Sequence, residues 1–249
     1  MSIPDPVSSS RTEFPYAIRT SRRARYVRLR MSPHEGLIVV VPEGFDIARV
    51  PRLVEDRSGW IRKVQASFDT LRPVACMTDD GDFPSAAVFA GIGETWNVRY
   101  HHGSEGRVSA RAVDGNTLLL SGAVRDSRLC GKALVGWLRT RSSLKLVPQL
   151  LHLADLHGFR ISKVTLRKQR SRWGSCSSRG AISLNTKLAF LPPELVRYIM
   201  IHELCHTRHM NHSRKFWSLV GTLDSCCEVH DREMNDAWRF VPGWAESRY

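Results

Sequence analysis

The sequence of 249 residues lacks several features that would mark other classes of protein. No run of about 18 apolar residues is present, which excludes a membrane-spanning helix. The opening segment MSIPDPVSSSRTEFP has no apolar core behind a charged start, so a secretory signal is not expected. The six cysteines form no C-x-x-C pair. We therefore expect reduced thiols and a cytoplasmic protein.

Acidic residues are scarce relative to basic ones. The chain has 24 aspartates and glutamates against 37 lysines and arginines, which gives a formal net charge of +13. The densest basic runs are RTSRRARYVRLR at 19–30 and RKQRSR at 167–172. Such a surface attracts polyanions, with DNA as the first candidate, although a solvated basic face explains the same composition.

The pattern of apolar residues predicts three regions. Residues 1–15 lack periodicity and are expected to form a flexible tail. Residues 16–122 alternate short strands and turns, with a hairpin over 25–42 and one amphipathic helix over 45–71. Residues 123–249 begin with a long helical pattern that Pro148 should kink or split. The order of strands and helices predicts an α+β fold.

The last region carries two short strands and a helix that holds most of the chemistry. The strands, at 163–168 and 181–190, are predicted to form a short hairpin around the loop QRSRWGSCSSRG. The helix begins near Pro193, since proline is favoured at a first helical position. It leads into the segment IHELCHTRHMNHSRKFW.

This segment has the spacing of a catalytic metal site. His202 and His206 are one helical turn apart, so both rings can reach one ion. Glu203 lies beside that point without being a ligand and can act as a general base toward water. The sequence therefore predicts a zinc site with Glu203 as the catalytic residue.

A third ligand is needed, and the sequence offers more than one. His209 is too far along the helix, because seven residues rise about 10.5 Å. His212 can reach the ion if the helix ends near Met210 and Asn211 and the chain folds back. The resulting H-E-x-x-H-x5-H spacing equals that of metzincin-type peptidases, but His209 stands where their pattern has glycine. Glu228 or Glu233 is the competing third ligand, and His212 is favoured.

Together, RSRWGSCSSRGAISLN (170–185) and the histidine segment resemble the YgjP-like metallopeptidase domain family, which is related to the SprT-like and WLM zinc peptidases. The resemblance extends from about Tyr16 to Asn235. It implies a zincin-like catalytic region with zinc on His202, His206 and His212 and catalysis by Glu203. The segment LDSCCEVHDREMN departs from the family pattern, in which a proline and an aromatic residue commonly follow the FW that ends the histidine segment.

The loop before the second strand raises a separate expectation. In zincins this strand borders the active-site cleft, where an extended substrate can pair by strand addition. Arg172, Ser175 and Cys176 could therefore line a substrate cleft, whereas Trp173 and Gly174 could simply shape the turn.

Two functions follow from the sequence. The first is a zinc peptidase that acts on a protein or peptide. The second is a nucleic-acid-associated protein whose zinc site mainly stabilises the fold, with binding that falls steeply as salt rises.

Overall fold

The computed structural model describes residues 13–22, 24–32, 36–70, 83–103 and 106–246, without the side chains of 67–70. Of the predicted tail over residues 1–15, residues 1–12 therefore lie outside the described part of the chain. Contacts divide the chain into two compact units, Met1–Arg72 and Pro73–Tyr249. This division differs from the change of pattern at residue 122, because the strands before that residue share a hydrophobic cluster with the long helix after it.

The first unit is a three-stranded sheet with helices. Its elements are β1 (Tyr16–Ser21), β2 (Arg28–Ser32), β3 (Gly36–Pro42), α1 (Val50–Glu55) and α2 (Ser58–Thr70). The apolar strand β3 is central, antiparallel to β2 and parallel to β1. The predicted hairpin is thus confirmed. The predicted single helix is wrong, since the chain turns at Asp56 and Arg57 and forms two helices.

The second unit begins with a four-stranded sheet. Its strands are β4 (Ala86–Phe89), β5 (Glu94–His102), β6 (Val108–Ala112) and β7 (Thr117–Gly122), in the order β4-β5-β7-β6. Their apolar side chains share one hydrophobic cluster with the helix α3 (Ser127–Leu156).

Helix α3 is continuous over 30 residues, so it is not split at Pro148. Proline removes one hydrogen bond, but Leu146 and Leu150 on either side are fully buried and hold the helix in place. The Asp126 side chain accepts a hydrogen bond from the backbone N–H of Leu129 at the start of the helix. Gly158, with φ of 63°, follows its end.

A third sheet lies next to the histidine helix. Its strands are β8 (Lys163–Arg167), β9 (Gly174–Cys176) and β10 (Ala181–Asn185), in the order β8-β10-β9. The predicted hairpin of β8 and β10 is wrong, because these strands are parallel. The loop between them contains β9, which pairs antiparallel with β10 after a turn in which Gly180 has φ of 73°.

The histidine helix is α4 (Pro193–His206), and it packs against β9. It is followed by α5 (Arg214–Leu223), α6 (Cys227–Met234) and α7 (Gly243–Glu246). The predicted α+β class, with a helix against a small sheet, is confirmed. In the ranges that the structure describes, no helix combines the length and the apolar composition needed to cross a membrane.

Candidate metal centre

Helix α4 presents two of the three predicted histidines. Leu195 and Ile199 are buried and fix the rotation of the helix, so His202 and His206 continue the same stripe one turn apart. The helix ends at His206, earlier than the predicted break at Met210. The chain then turns back before α5, which brings His212 to the other two histidines.

The Nε2 atoms of the three histidines converge. Nε2 of His202 lies 3.2 Å from that of His206 and 3.1 Å from that of His212. Phe216 is fully buried beneath them, with its ring centroid 5.0, 4.5 and 4.8 Å from those of His202, His206 and His212. The ring of Phe216, which belongs to α5, therefore packs against all three imidazoles.

The backbone carbonyl of His209 orients the ring of His206. Nδ1 of His206 lies 3.0 Å from the carbonyl oxygen of His209. When Nδ1–H donates to this carbonyl, the lone pair of Nε2 is left free for a metal. Burial, followed by the neighbouring histidines, lowers the pKa of His202 to about 4, and burial also lowers the pKa of His206. Both rings are thus held neutral, which is the form that binds a metal.

The competing third ligands lie elsewhere. Glu228 and Glu233 belong to α6. Among the described residues, the group able to hold a metal is His202, His206 and His212, whose ligand atoms all lie within 4.8 Å of one another. Three nitrogen donors that leave a fourth position open are the ligand set of a catalytic zinc. The residues present therefore fit zinc.

Glu203 is directed into the interior next to this group. Its carboxylate is buried, and Oε2 has no hydrogen-bond partner in the described part of the chain. Burial raises the pKa of Glu203 to about 7, and the charge of Arg172 opposes this shift. A buried carboxylate oxygen without a partner lowers the stability of the fold, and a functional role is one reason for a protein to retain such a group.

The loop motif RWGSC forms the wall against which Glu203 packs. A Cβ placed on Gly174 would lie 2.5 Å from Oε1 of Glu203 and 2.6 Å from its Cγ. Only glycine therefore fits this place in β9 without a shift. The sequence indicates only that Gly174 could shape the turn. It does not predict the contact with Glu203, because the two residues are far apart in the chain.

Two side chains hold this loop from behind. The side-chain amide of Asn185 donates hydrogen bonds to the carbonyls of Gln169 and Arg172, at 3.0 and 2.7 Å. Trp173 stacks on Trp238 with ring centroids 4.1 Å apart. The loop that carries Gly174 is thus held by two hydrogen bonds from Asn185 and by the stacking of Trp173.

The residues after α5 form α6, which packs against α4. Tyr198 of α4 is buried, and its hydroxyl donates a 2.7 Å hydrogen bond to Asp231 of α6. Asp224 and His230 form a 2.8 Å pair in the same segment. These contacts pack α6 against α4. They come from the segment LDSCCEVHDREMN, which departs from the family pattern.

The predicted cleft residues share one pocket. Arg172, Ser175 and Cys176 line a pocket of about 400 Å³ over the β8-β10-β9 sheet. Burial raises the pKa of Cys176 to about 11, with a further contribution from Glu203. Cys176 is therefore a neutral thiol near neutral pH, unsuited to metal binding or nucleophilic attack.

Comparison with known proteins identifies the family. The YgjP-like metallopeptidase domain model matches residues 25–237. The chain belongs to the YgjP-like metallopeptidase domain family. No curated protein matches it. The crystal structure of the metallopeptidase zymogen of Pyrococcus abyssi abylysin is 28% identical, covers 36% of this YgjP-like chain and 91% of its own, and gives a TM-score of 0.32.

Proposed function

We propose that this YgjP-like protein is a zinc-dependent peptidase in which Glu203 is the general base. The observation that supports this most directly is the convergence of three Nε2 atoms beside a buried glutamate whose Oε2 has no hydrogen-bond partner among the described residues. A bound zinc would supply Lewis acidity, which polarises a carbonyl and makes water more acidic.

The chain's own residues have three tasks in this reaction. His202, His206 and His212 would hold the ion, with the His209 carbonyl orienting one imidazole. Glu203 would accept the proton of the attacking water and return it to the leaving amine. Gly174 leaves room for the Glu203 carboxylate. Strand β9 is an edge strand next to this carboxylate, so an extended peptide can pair with it.

The test separates zinc binding from catalysis. Glu203→Gln should keep one zinc per chain, because the glutamate is not a ligand, while cleavage of an unstructured protein falls about 10²- to 10⁴-fold. The matched control is Glu194→Gln, which makes the same change at an exposed position of α4. Equal cleavage by the wild type and Glu203→Gln would remove Glu203 from the mechanism.

Association with nucleic acid stays a second candidate. Arg25, Arg28 and Arg30 of the first unit are exposed next to Tyr26, whose exposed fraction is 75%. Basic and aromatic side chains on one surface are typical of nucleic-acid binding. Binding of duplex DNA that does not weaken as salt rises would reject this function.

A further inference from the structure

The pocket over the β8-β10-β9 sheet is lined by basic side chains and no acidic ones. Its three cations are Lys163, Arg167 and Arg172. Within the described ranges, none of them forms an ion pair with an aspartate or glutamate. We name this pocket the basic groove. The charges of Lys163 and Arg167 are therefore available for an anionic ligand, whereas that of Arg172 also acts on the carboxylate of Glu203.

A row of hydroxyl groups crosses the middle of the basic groove. Ser175 pairs with Ser183, and Ser183 pairs with Thr165, in the register of the three strands. Paired residues on neighbouring strands point to the same face of a sheet, and all three line the groove. Ser183 accepts a 3.2 Å hydrogen bond from the side-chain amide of Gln169, which leaves its own O–H free to donate.

This combination of groups favours carboxylates. Hydroxyl groups donate hydrogen bonds and cations add charge-assisted ones, which together suit an anionic oxygen. Aromatic side chains, on which nucleobases would stack, do not occur in the lining. The groove lies over the face of the sheet, so an extended peptide bound there would direct one row of its side chains toward the hydroxyl groups and the cations of β8. An extended peptide with acidic side chains therefore fits better than a nucleic acid.

We propose that the basic groove binds acidic side chains of an extended peptide, so that the enzyme prefers acidic segments as substrates. The preference for substrates rests on the proposed peptidase function. Lys163 and Arg167, four residues apart on β8, are separated by about 13 Å. This distance matches acidic residues four positions apart in an extended peptide, and both point to the same side because side chains alternate with a period of two.

The first experiment measures binding to zinc-loaded Glu203→Gln protein, so that cleavage does not interfere. The probes are four fluorescent ligands: an amidated peptide with glutamate at alternate positions, its glutamine counterpart, the glutamine peptide with a free C-terminal carboxylate, and a single-stranded oligonucleotide. We expect the glutamate peptide to bind roughly tenfold more tightly than the amidated glutamine peptide at low salt. The peptide with a free carboxylate should gain little.

Two double variants locate the effect. Lys163→Gln/Arg167→Gln should bring the two amidated peptides to within about threefold of each other. The control Arg128→Gln/Lys132→Gln removes the same charge from exposed positions of α3 and should leave the tenfold difference unchanged. Arg172 is left intact because its charge also acts on Glu203. Equal binding of both amidated peptides, or equal losses in the two double variants, would overturn the proposal.

The remaining outcomes are also decisive. An oligonucleotide that binds more tightly than the glutamate peptide, and only when Lys163 and Arg167 are present, would assign the groove to nucleic acid instead. The wild-type enzyme is then tested for hydrolysis of both amidated peptides. Cleavage without preference would overturn the substrate class but leave the peptidase intact. Preferential binding without any cleavage would contradict the peptidase and keep the groove.

Discussion

Replacing Gly174 by alanine tests how closely the geometry of Glu203 is set. The added Cβ would lie 2.5, 2.6 and 2.8 Å from Oε1, Cγ and Cδ of Glu203. Carbon atoms of this kind do not approach closer than about 3 Å without repulsion, so the glutamate side chain must move. Because three of its atoms are affected, a rotation of the carboxylate alone does not relieve the contact.

The size of the effect follows from this displacement. Overpacking of a buried site costs typically about 1–3 kcal/mol of folding free energy. A misplacement of about 1 Å at a catalytic group costs on the order of 10²-fold in rate. The zinc content should stay at that of the wild type, because the contacts that a Cβ at Gly174 would make are with Glu203 and not with the histidines.

The assay compares three quantities for each protein: kcat/KM on an unstructured substrate, zinc per chain, and Tm. Gly136→Ala is the control, since a Cβ there meets nothing within 4 Å. A cycle with Glu203→Asp adds a direct test, because a shorter side chain should make the alanine at 174 less harmful. If Gly174→Ala retains the wild-type rate, or if its loss is the same in both backgrounds, the reasoning is refuted.

Two further predictions concern the packing around the site. Lys187 is buried, and its Nζ lies 2.7 Å from Oε1 of Glu246. Because Glu246→Gln leaves this buried cation without its partner, it should lower the free energy of unfolding by about 3 kcal/mol in denaturant titrations. The loss should be smaller in the double variant with Lys187→Met, which removes the cation as well. Burial alone would raise the pKa of Glu94, but hydrogen bonds, above all from Arg141, lower it below its usual 4.5. The stability that Glu94 contributes is present above pH 4.5 and is lost as the pH falls through the lowered pKa. The difference in unfolding free energy between wild type and Glu94→Gln should therefore shrink as the pH falls below 4.5, and a constant difference would contradict this prediction.

The elements of the fold that the sequence predicted well are those set by local periodicity. The start of α4 follows from Pro193, and the strands β2 and β3 follow from alternation and the turn between them. The pairing of β8 with β10 could not be predicted in the same way. Parallel or antiparallel pairing depends on where the intervening chain passes, and the three-residue strand β9 is too short to leave a periodic signal.

The candidate site also has parts that local spacing predicts and parts that it does not. Its candidate metal ligands lie within one short segment, so helical spacing alone brings His202 and His206 together. The return of His212 depends on a turn of a few residues, which the sequence also indicated. The basic groove was only partly visible, because Lys163 and Ser183 reach it through the sheet register and have no distinctive spacing.

Glu203 links the RWGSC motif and the histidine segment of this chain into one physical unit. The histidine segment places the glutamate, but its space is provided by Gly174, 29 positions earlier in the numbering. That glycine is held in turn by Asn185 and by the stacking of Trp173 on Trp238, a residue just beyond the matched family domain. A chain with H-E-x-x-H but a larger residue facing the glutamate would keep the histidines and displace the glutamate that we propose as the base. The catalytic role that we propose for Glu203 therefore depends on Gly174 as well as on the histidine spacing.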